Sequence, residues 1–289
     1  MPSTRDIRRR IRGVKNIKQV TRAMNMIASA RLRRAQTKAE AARPYAQRIS
    51  EILQDVQASG FGGRNPLLAQ RPVNRIGVIL VTSDRGLCGA FNASIFRETD
   101  QFLRRQTVPV GLITVGKKGR DYYRARGVTV DAHFVQPSRD VRLEEVGAIS
   151  KQIIADYGKG AYDQIYLAYS QFISVLRSAP VVTRLLPLEK SGDATKVGVP
   201  HAAYQFEPEG DELLNTLLPQ YIEVVIYRAL VESLASEQAA RMVAMKAATD
   251  SASDMIDNLT RKYNRVRQGS ITTQILEVVS GAEALKHDH

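Results

Sequence analysis

The stretch ASARLRRAQTKAEAARPYAQRISEILQDV, residues 28–56, carries apolar side chains at Ala28, Leu32, Ala35, Ala39, Ala42, Ala46, Ile49, Leu53 and Val56. The steps alternate between four and three residues without a break. That spacing is a coiled-coil seam, because a repeat averaging 3.5 residues keeps a narrow stripe on one side of a helix. Ile7, Ile11 and Val14 already keep the same spacing, so the Arg-rich beginning belongs to the folded chain rather than to a targeting segment. Between them the apolar positions shift by one residue, to Ile17, Val20, Met24 and Ile27, leaving Lys18, Thr21 and Asn25 in the old register. This predicts that the packing face rolls there. No Pro or Gly interrupts residues 14–43, so one helix is expected over residues 4–56, roughly 80 Å at 1.5 Å per residue.

Outward from that helix, SGFGGRNPLLAQRP (59–72) reads as a Gly- and Pro-rich linker. RIGVILVTS (75–83) and VPVGLITV (108–115) are apolar runs of the length and composition of buried parallel strands. Helical stretches at 91–104 and 143–157 and strands at 164–170 and 180–188 complete an alternating pattern, which predicts a small α/β domain over residues 74–200. After a loop at 189–208, a short helix at 213–218 is expected to stop at Pro219, where a second helix begins and runs to residue 285, roughly 100 Å by the same rise. Its seam comprises Ala235, Ala239, Met242, Met245, Ala248, Ala252, Met255, Leu259, Tyr263 and Val266. Small Ala residues let helix axes approach closely. The expected fold class is therefore α/β: a long antiparallel coiled coil of N-terminal (1–58) and C-terminal (209–289) helices with an inserted Rossmann-like domain.

Charge separates the parts further. The net charge is +13 over 289 residues, and residues 1–48 hold fourteen Lys and Arg against only Asp6 and Glu40, a net of +12. Residues 207–268 hold ten acids against seven bases, a mild complement. A basic arm admits an acidic-protein, nucleic-acid or anionic-membrane partner. The arm has no aromatic residue before Tyr45 on which bases could stack. Hydrophobic content of 44% excludes a disordered chain, and no run of eighteen apolar residues occurs to span a membrane.

Chemistry-bearing motifs are thin. Residues 111–118, GLITVGKK, have the spacing of a phosphate-binding loop, but Lys118 stands where a magnesium-binding Ser or Thr is required, and the intervening residues read as strand. TSDRGLCGAFN (82–92) ends a strand and opens a helix, with Gly86 and Gly89 suited to a tight turn. His133, His201, His287 and His289 are scattered without metal-ligand spacing, and the acids read as solvated faces. Cys88 is the single cysteine; it forbids an intramolecular disulfide and reads as a small buried hydrophobe. No catalytic, metal or cofactor-binding residue is expected. An α/β nucleotide enzyme and a basic-arm nucleic-acid-binding protein remain the alternatives from these residues.

Three blocks carry a family resemblance. RDIRRRIRGVKNIKQVTRAMNMIASARLRRAQ (5–36), TSDRGLCGAFN (82–92), and ESLASEQAARMVAMKAATDSASDMI (232–256) with YNRVRQGSITTQILEVVSGAEAL (263–285) resemble, in order, the N-terminal helix, central loop and C-terminal signature of the F-type ATP synthase γ subunit of bacteria. The resemblance implies a rotating central-stalk subunit, one per complex, that couples proton flow to conformational cycling of the catalytic β subunits. Its implied partners are three α and three β subunits, the ε subunit and the c-ring of the membrane sector, with no nucleic acid. Its implied place is the cytoplasmic face of a bacterial cell membrane, since no presequence and no redox pair of cysteines is found. By the same resemblance, Met24, Arg85, Cys88, Arg267, Gln268, Thr272 and Gln274 are rotor–stator contacts. From Ile271 onward Ile275, Leu276, Val278, Val279, Ala282 and Leu285 cover more of the helix than one seam requires, in a segment that outreaches the first helix; residues 275–285, with Ile275, Leu276, Val279 and Leu285, are therefore expected to turn as an apolar bearing inside a sleeve of α and β subunits. The chain departs from the family at Gln274, a neutral amide where a carboxylate is usual, and at Gly269, where Ala is common.

Overall fold

A computed structural model of the chain describes residues 3–58, 65–136, 141–188 and 210–287. In chain order the elements are α1 (Thr4–Ala58), β1 (Ile76–Val81), α2 (Phe91–Arg104), β2 (Val110–Val115), α3 (Lys117–Arg124), β3 (Val130–Phe134), α4 (Leu143–Gly158), β4 (Gln164–Phe172), β5 (Ser178–Leu186) and α5 (Gly210–His287). The chain packs as two units, one of residues 1–27 with 242–289 and one of residues 28–241.

The first unit is an antiparallel pair of helices. Asn25 Nδ2 donates to the Met242 carbonyl at 2.7 Å, the Thr249 hydroxyl donates to that of Thr21 at 2.7 Å, and Arg8 donates to the Tyr263 hydroxyl, so numbers rise on one helix as they fall on the other. This corrects the expected roll of the packing face. Thr21 is buried and Asn25 half-buried, while Ile17, Val20 and Ile27 are exposed. The seam thus keeps its original register through three polar residues. Satisfied polar pairs within a coiled-coil seam pin its register at some cost in stability, which removes any need to re-phase the helix. On α5 the seam takes Thr249 and Ile256, and the expected Met255 is exposed instead.

In the second unit β1 to β5 form one sheet of order β3-β2-β1-β4-β5, parallel except for β5 against β4. Every residue of β1 is buried, as a parallel strand covered on both faces demands. Ile95 and Phe96 of α2 and Tyr123 of α3 pack with Ile76, Val78, Leu80, Leu112 and Ala168 into one core. The α1 positions Ala28, Leu32, Ala35, Ile49, Leu53 and Val56 are buried as the seam predicts. Two elements, α3 and β3, lie where the sequence showed no element. Another correction concerns Pro219, which is inside the single helix α5 rather than at a boundary. Leu214, Leu218 and Ile222 are all fully buried on one stripe across it, and this packing outweighs the roughly 3 kcal/mol that an interior proline costs a helix.

Candidate interaction surfaces and the switch-point cluster

Open α/β sheets bind ligands outside the carboxyl ends of their strands, where the connections diverge to either side, here between β1 and β4. In this chain that crevice holds the chain's own helix. Ser170 lies on β4 just past Ala168, the last residue paired with β1; its N–H donates to the Ser233 hydroxyl at 3.1 Å and its carbonyl accepts from Ser236 at 3.2 Å. From Ala229 to Ala239 every α5 residue is buried, including Glu232, Ser233, Ser236, Glu237 and Gln238. A helix buried on all sides carries its polar groups inside, and here they meet strand ends. The expectation that the acids lie on solvated faces is therefore corrected for Glu232 and Glu237. The signal in the sequence was ESLASEQAAR itself, a helix with no fully apolar face and no fully polar one.

The phosphate-loop spacing at 111–118 is also accounted for. Residues 111–115 are β2, and the N–H groups that open α3 are consumed by the loop after β1: Lys117 donates to Asp84 Oδ1 at 2.9 Å, Lys118 to the Ser83 carbonyl at 3.1 Å and Gly119 to the Thr82 hydroxyl at 2.9 Å. These are the donors that an anion would need.

In loop 82–92, the residue with left-handed backbone beside Gly89 is Leu87, at φ 62°, and not Gly86. Leu87 and Arg85 are exposed. Cys88 is turned inward, 3% exposed, with Asn92 Nδ2 at 3.4 Å and the Ser83 hydroxyl at 3.8 Å from its sulfur. Burial pushes its thiol pKa up, with the nearby Glu237 carboxylate acting in the same direction. The outward surface of the loop is thus Arg85 and Leu87, with Cys88 beneath as support.

In the two-helix unit, Met24 is half-buried, and exposed Ile17, Val20 and Ile27 lie at helical spacing on the flank of the seam. Farther along α5, Arg267, Gln268, Thr272 and Gln274 are exposed, as are Ile275, Leu276, Val278 and Val279. The Thr272 hydroxyl donates back to the Gln268 carbonyl at 3.0 Å. The side chain of Leu285 lies outside the described residues. Among the described residues, no three His, Cys, Asp or Glu side chains gather as metal ligands. At Gly269 an added Cβ would meet nothing within 4 Å. Gly269→Ala is therefore expected to stabilise the isolated chain by about 1 kcal/mol through helix preference, read as a higher urea midpoint at unchanged slope.

The geometry is thus a paired-helix unit, an α/β unit whose crevice at the strand ends is filled by its own helix, and outward faces that mix exposed apolar with cationic residues. The family model described as ATP synthase matches residues 3–285. The chain is 44% identical to the ATP synthase gamma chain of Desulfitobacterium hafniense, over 99% of this chain and 100% of that one. It is also 44% identical to that of Pelotomaculum thermopropionicum, over 99% and 100%. Among solved structures, the central stalk/c-ring of Tetrahymena thermophila mitochondrial ATP synthase aligns at TM-score 0.60 and 26% identity, over 79% of this chain and 99% of that one. A chain of the OSCP/F1/c-ring structure of the Euglena gracilis enzyme aligns at TM-score 0.69 and 17% identity over 98% and 94%, a likeness of fold. The chain belongs to the ATP synthase gamma-chain family.

Proposed function

We propose that the chain is the central-stalk rotor subunit of a proton-translocating F-type ATP synthase, present once per complex with three α and three β subunits, the ε subunit and the c-ring. Family membership over residues 3–285 carries this reading. It displaces the nucleic-acid reading of the basic arm. The chain has no three-fold symmetry, so three identical β subunits around it meet three different surfaces. Differential contact energy is what can hold identical subunits in different affinity states, and turning the rotor carries each through those states in sequence. A shift between opposite populations needs about 5.5 kcal/mol of differential interaction, within reach of an extended contact surface.

In this reading the chain supplies no catalytic group; its residues act by contact. The acidic β loops face the cationic arm near Met24; Arg267, Gln268, Thr272 and Gln274 meet β higher on α5; and Arg85 and Cys88 belong to the loop near β. Among the described residues no helix is long and apolar enough to cross a membrane, and the proposed place is peripheral, on the cytoplasmic face of a bacterial cell membrane. Recovery of the tagged chain together with α and β subunits in a 1:3:3 ratio tests the assignment; recovery without them would overturn it.

A narrower test concerns Met24→Lys, which adds a cation to a basic surface that faces acidic loops. The complex is expected to assemble while ATP-driven proton pumping per ATP hydrolysed falls. Unchanged pumping would remove Met24 from the contact surface.

A further inference from the structure

Arg241 is the last residue of the α/β-containing unit, and its guanidinium is nearly buried, 9% exposed, against a Glu237 carboxylate that is 6% exposed. Its Nη1 donates to Glu237 Oε1 at 2.6 Å; its Nη2 faces the Arg85 carbonyl at 3.5 Å and the Gly86 carbonyl at 3.3 Å. The other carboxylate oxygen of Glu237 accepts from Gln136 Nε2 at 2.8 Å, and Gln136 Oε1 in turn accepts from the Asp84 N–H at 3.2 Å. Gln238 adds a bond to Glu237 Oε1 at 3.3 Å. A buried ion pair is expensive to hold, and the desolvation of both charges is offset only where further hydrogen bonds satisfy them. Gln238 apart, those further bonds lead to one segment, 84–86: Arg241 faces the 85 and 86 carbonyls directly, and Glu237 reaches the Asp84 N–H through Gln136.

We infer that Gln136, Glu237 and Arg241 are positioning residues that clamp loop 84–88 onto helix α5, so that a load on Arg85 and Leu87 passes into the helix instead of bending the loop. The inference rests on the rotor reading for the meaning of that load, but the clamp itself is a property of the single chain. The loop needs such a hold. Its β1 strand ends at Val81, α2 begins only at Phe91, and Leu87 is held in a left-handed conformation that a β-carbon disfavours. Without a fixed frame that conformation would relax and the exposed side chains would yield under load. Arg suits this task where Lys does not: a planar guanidinium can bind a carboxylate and two carbonyls at once, whereas an ammonium is a point charge.

Cys88 provides the readout, since it is the only cysteine in the chain and lies beneath the clamped segment. In the purified full-length chain, Arg241→Lys and Gln136→Leu are expected to speed maleimide labelling of Cys88 by about tenfold or more, as loss of a buried charge-assisted bond favours local opening. Circular dichroism is expected to stay close to that of the unmodified chain. In inverted membrane vesicles carrying the whole complex, the same variants are expected to hydrolyse ATP while pumping fewer protons per ATP. Two variants are used so that one that fails to fold leaves the other to decide. Unchanged labelling in a folded variant overturns the clamp, and faster labelling with undiminished pumping per ATP overturns its role in carrying load. Failure of the rotor reading would show separately, as a wild-type chain that does not assemble with α and β subunits.

Discussion

Gly116→Ala is expected to destabilise the α/β unit by about 4 kcal/mol or more, near the top of the range for single substitutions. Gly116 joins β2 to α3 with φ at 106°, a region that side-chain-bearing residues avoid. A β-carbon there would lie 2.1 Å from the Thr82 carbonyl oxygen, 2.7 Å from the carbonyl carbon and 2.8 Å from the Thr82 hydroxyl. Those atoms cannot step aside. Thr82 N–H is bonded to the Val115 carbonyl at 2.8 Å, its hydroxyl receives the Gly119 N–H at 2.9 Å, and Gly116 itself donates to the Phe134 carbonyl at 2.9 Å. The contact also holds the loop after β1 against α3, so its loss should free Cys88. Urea unfolding of the full chain, followed by Cys88 labelling and circular dichroism together, is the measurement. A midpoint close to wild type would mean that the loop can shift outward at little cost.

The opposite behaviour is expected of Leu276→Asp with Val279→Asp. These side chains are 60% and 55% exposed on α5, so the pair should leave the isolated chain's stability within about 0.5 kcal/mol of wild type, as is usual for surface positions. In the assembled complex the outcome should be severe if residues 275–285 turn within an apolar sleeve of α and β subunits. An unpaired carboxylate enclosed by apolar side chains costs several kcal/mol, and each 1.4 kcal/mol is tenfold in an equilibrium. Assembly or rotation-coupled ATP hydrolysis is thus expected to fall by about tenfold or more. Few directional bonds suit a surface that must slip, which is why apolar residues, and not salt bridges, are the expected lining. Wild-type assembly and turnover in the double variant would sink the bearing.

Much of this architecture was legible before folding was considered. The 4-3 spacing from Ala28 to Val56 reappears as burial at Ala28, Leu32, Ala35, Ile49, Leu53 and Val56. The strands at 75–83 and 108–115 were visible as apolar runs because a parallel strand covered on both faces has no solvent side to mark with polar residues. β3 and α3 escaped notice for the converse reason. VDAHF is a half-buried edge strand and KKGRDYYR a short helix containing a glycine, so neither has a long enough pattern to stand above its surroundings. Of the surfaces, the exposed apolar run after Ile271 was readable as an excess over what one seam needs. The clamp was not, since Gln136 lies 101 residues from Glu237 and Arg85 lies 156 from Arg241, and its members look, one by one, like surface polar residues.

Sequence alone therefore determined which elements are long, apolar and periodic, because those properties come from local spacing and from the identity of neighbouring residues. Tertiary structure alone decided that Thr21 and Asn25 stay in the seam, that α5 runs through Pro219, and that Glu237 and Arg241 are buried. The seam and the buried charges depend on partners far along the chain, the Thr249 hydroxyl and Met242 carbonyl for the first and the Gln136 amide with the 85–86 carbonyls for the second, while the proline is carried by the full burial of its helix neighbours Leu214, Leu218 and Ile222. A polar or helix-breaking residue carries a local cost that the sequence displays, but the interaction that offsets it exists only once distant segments have met.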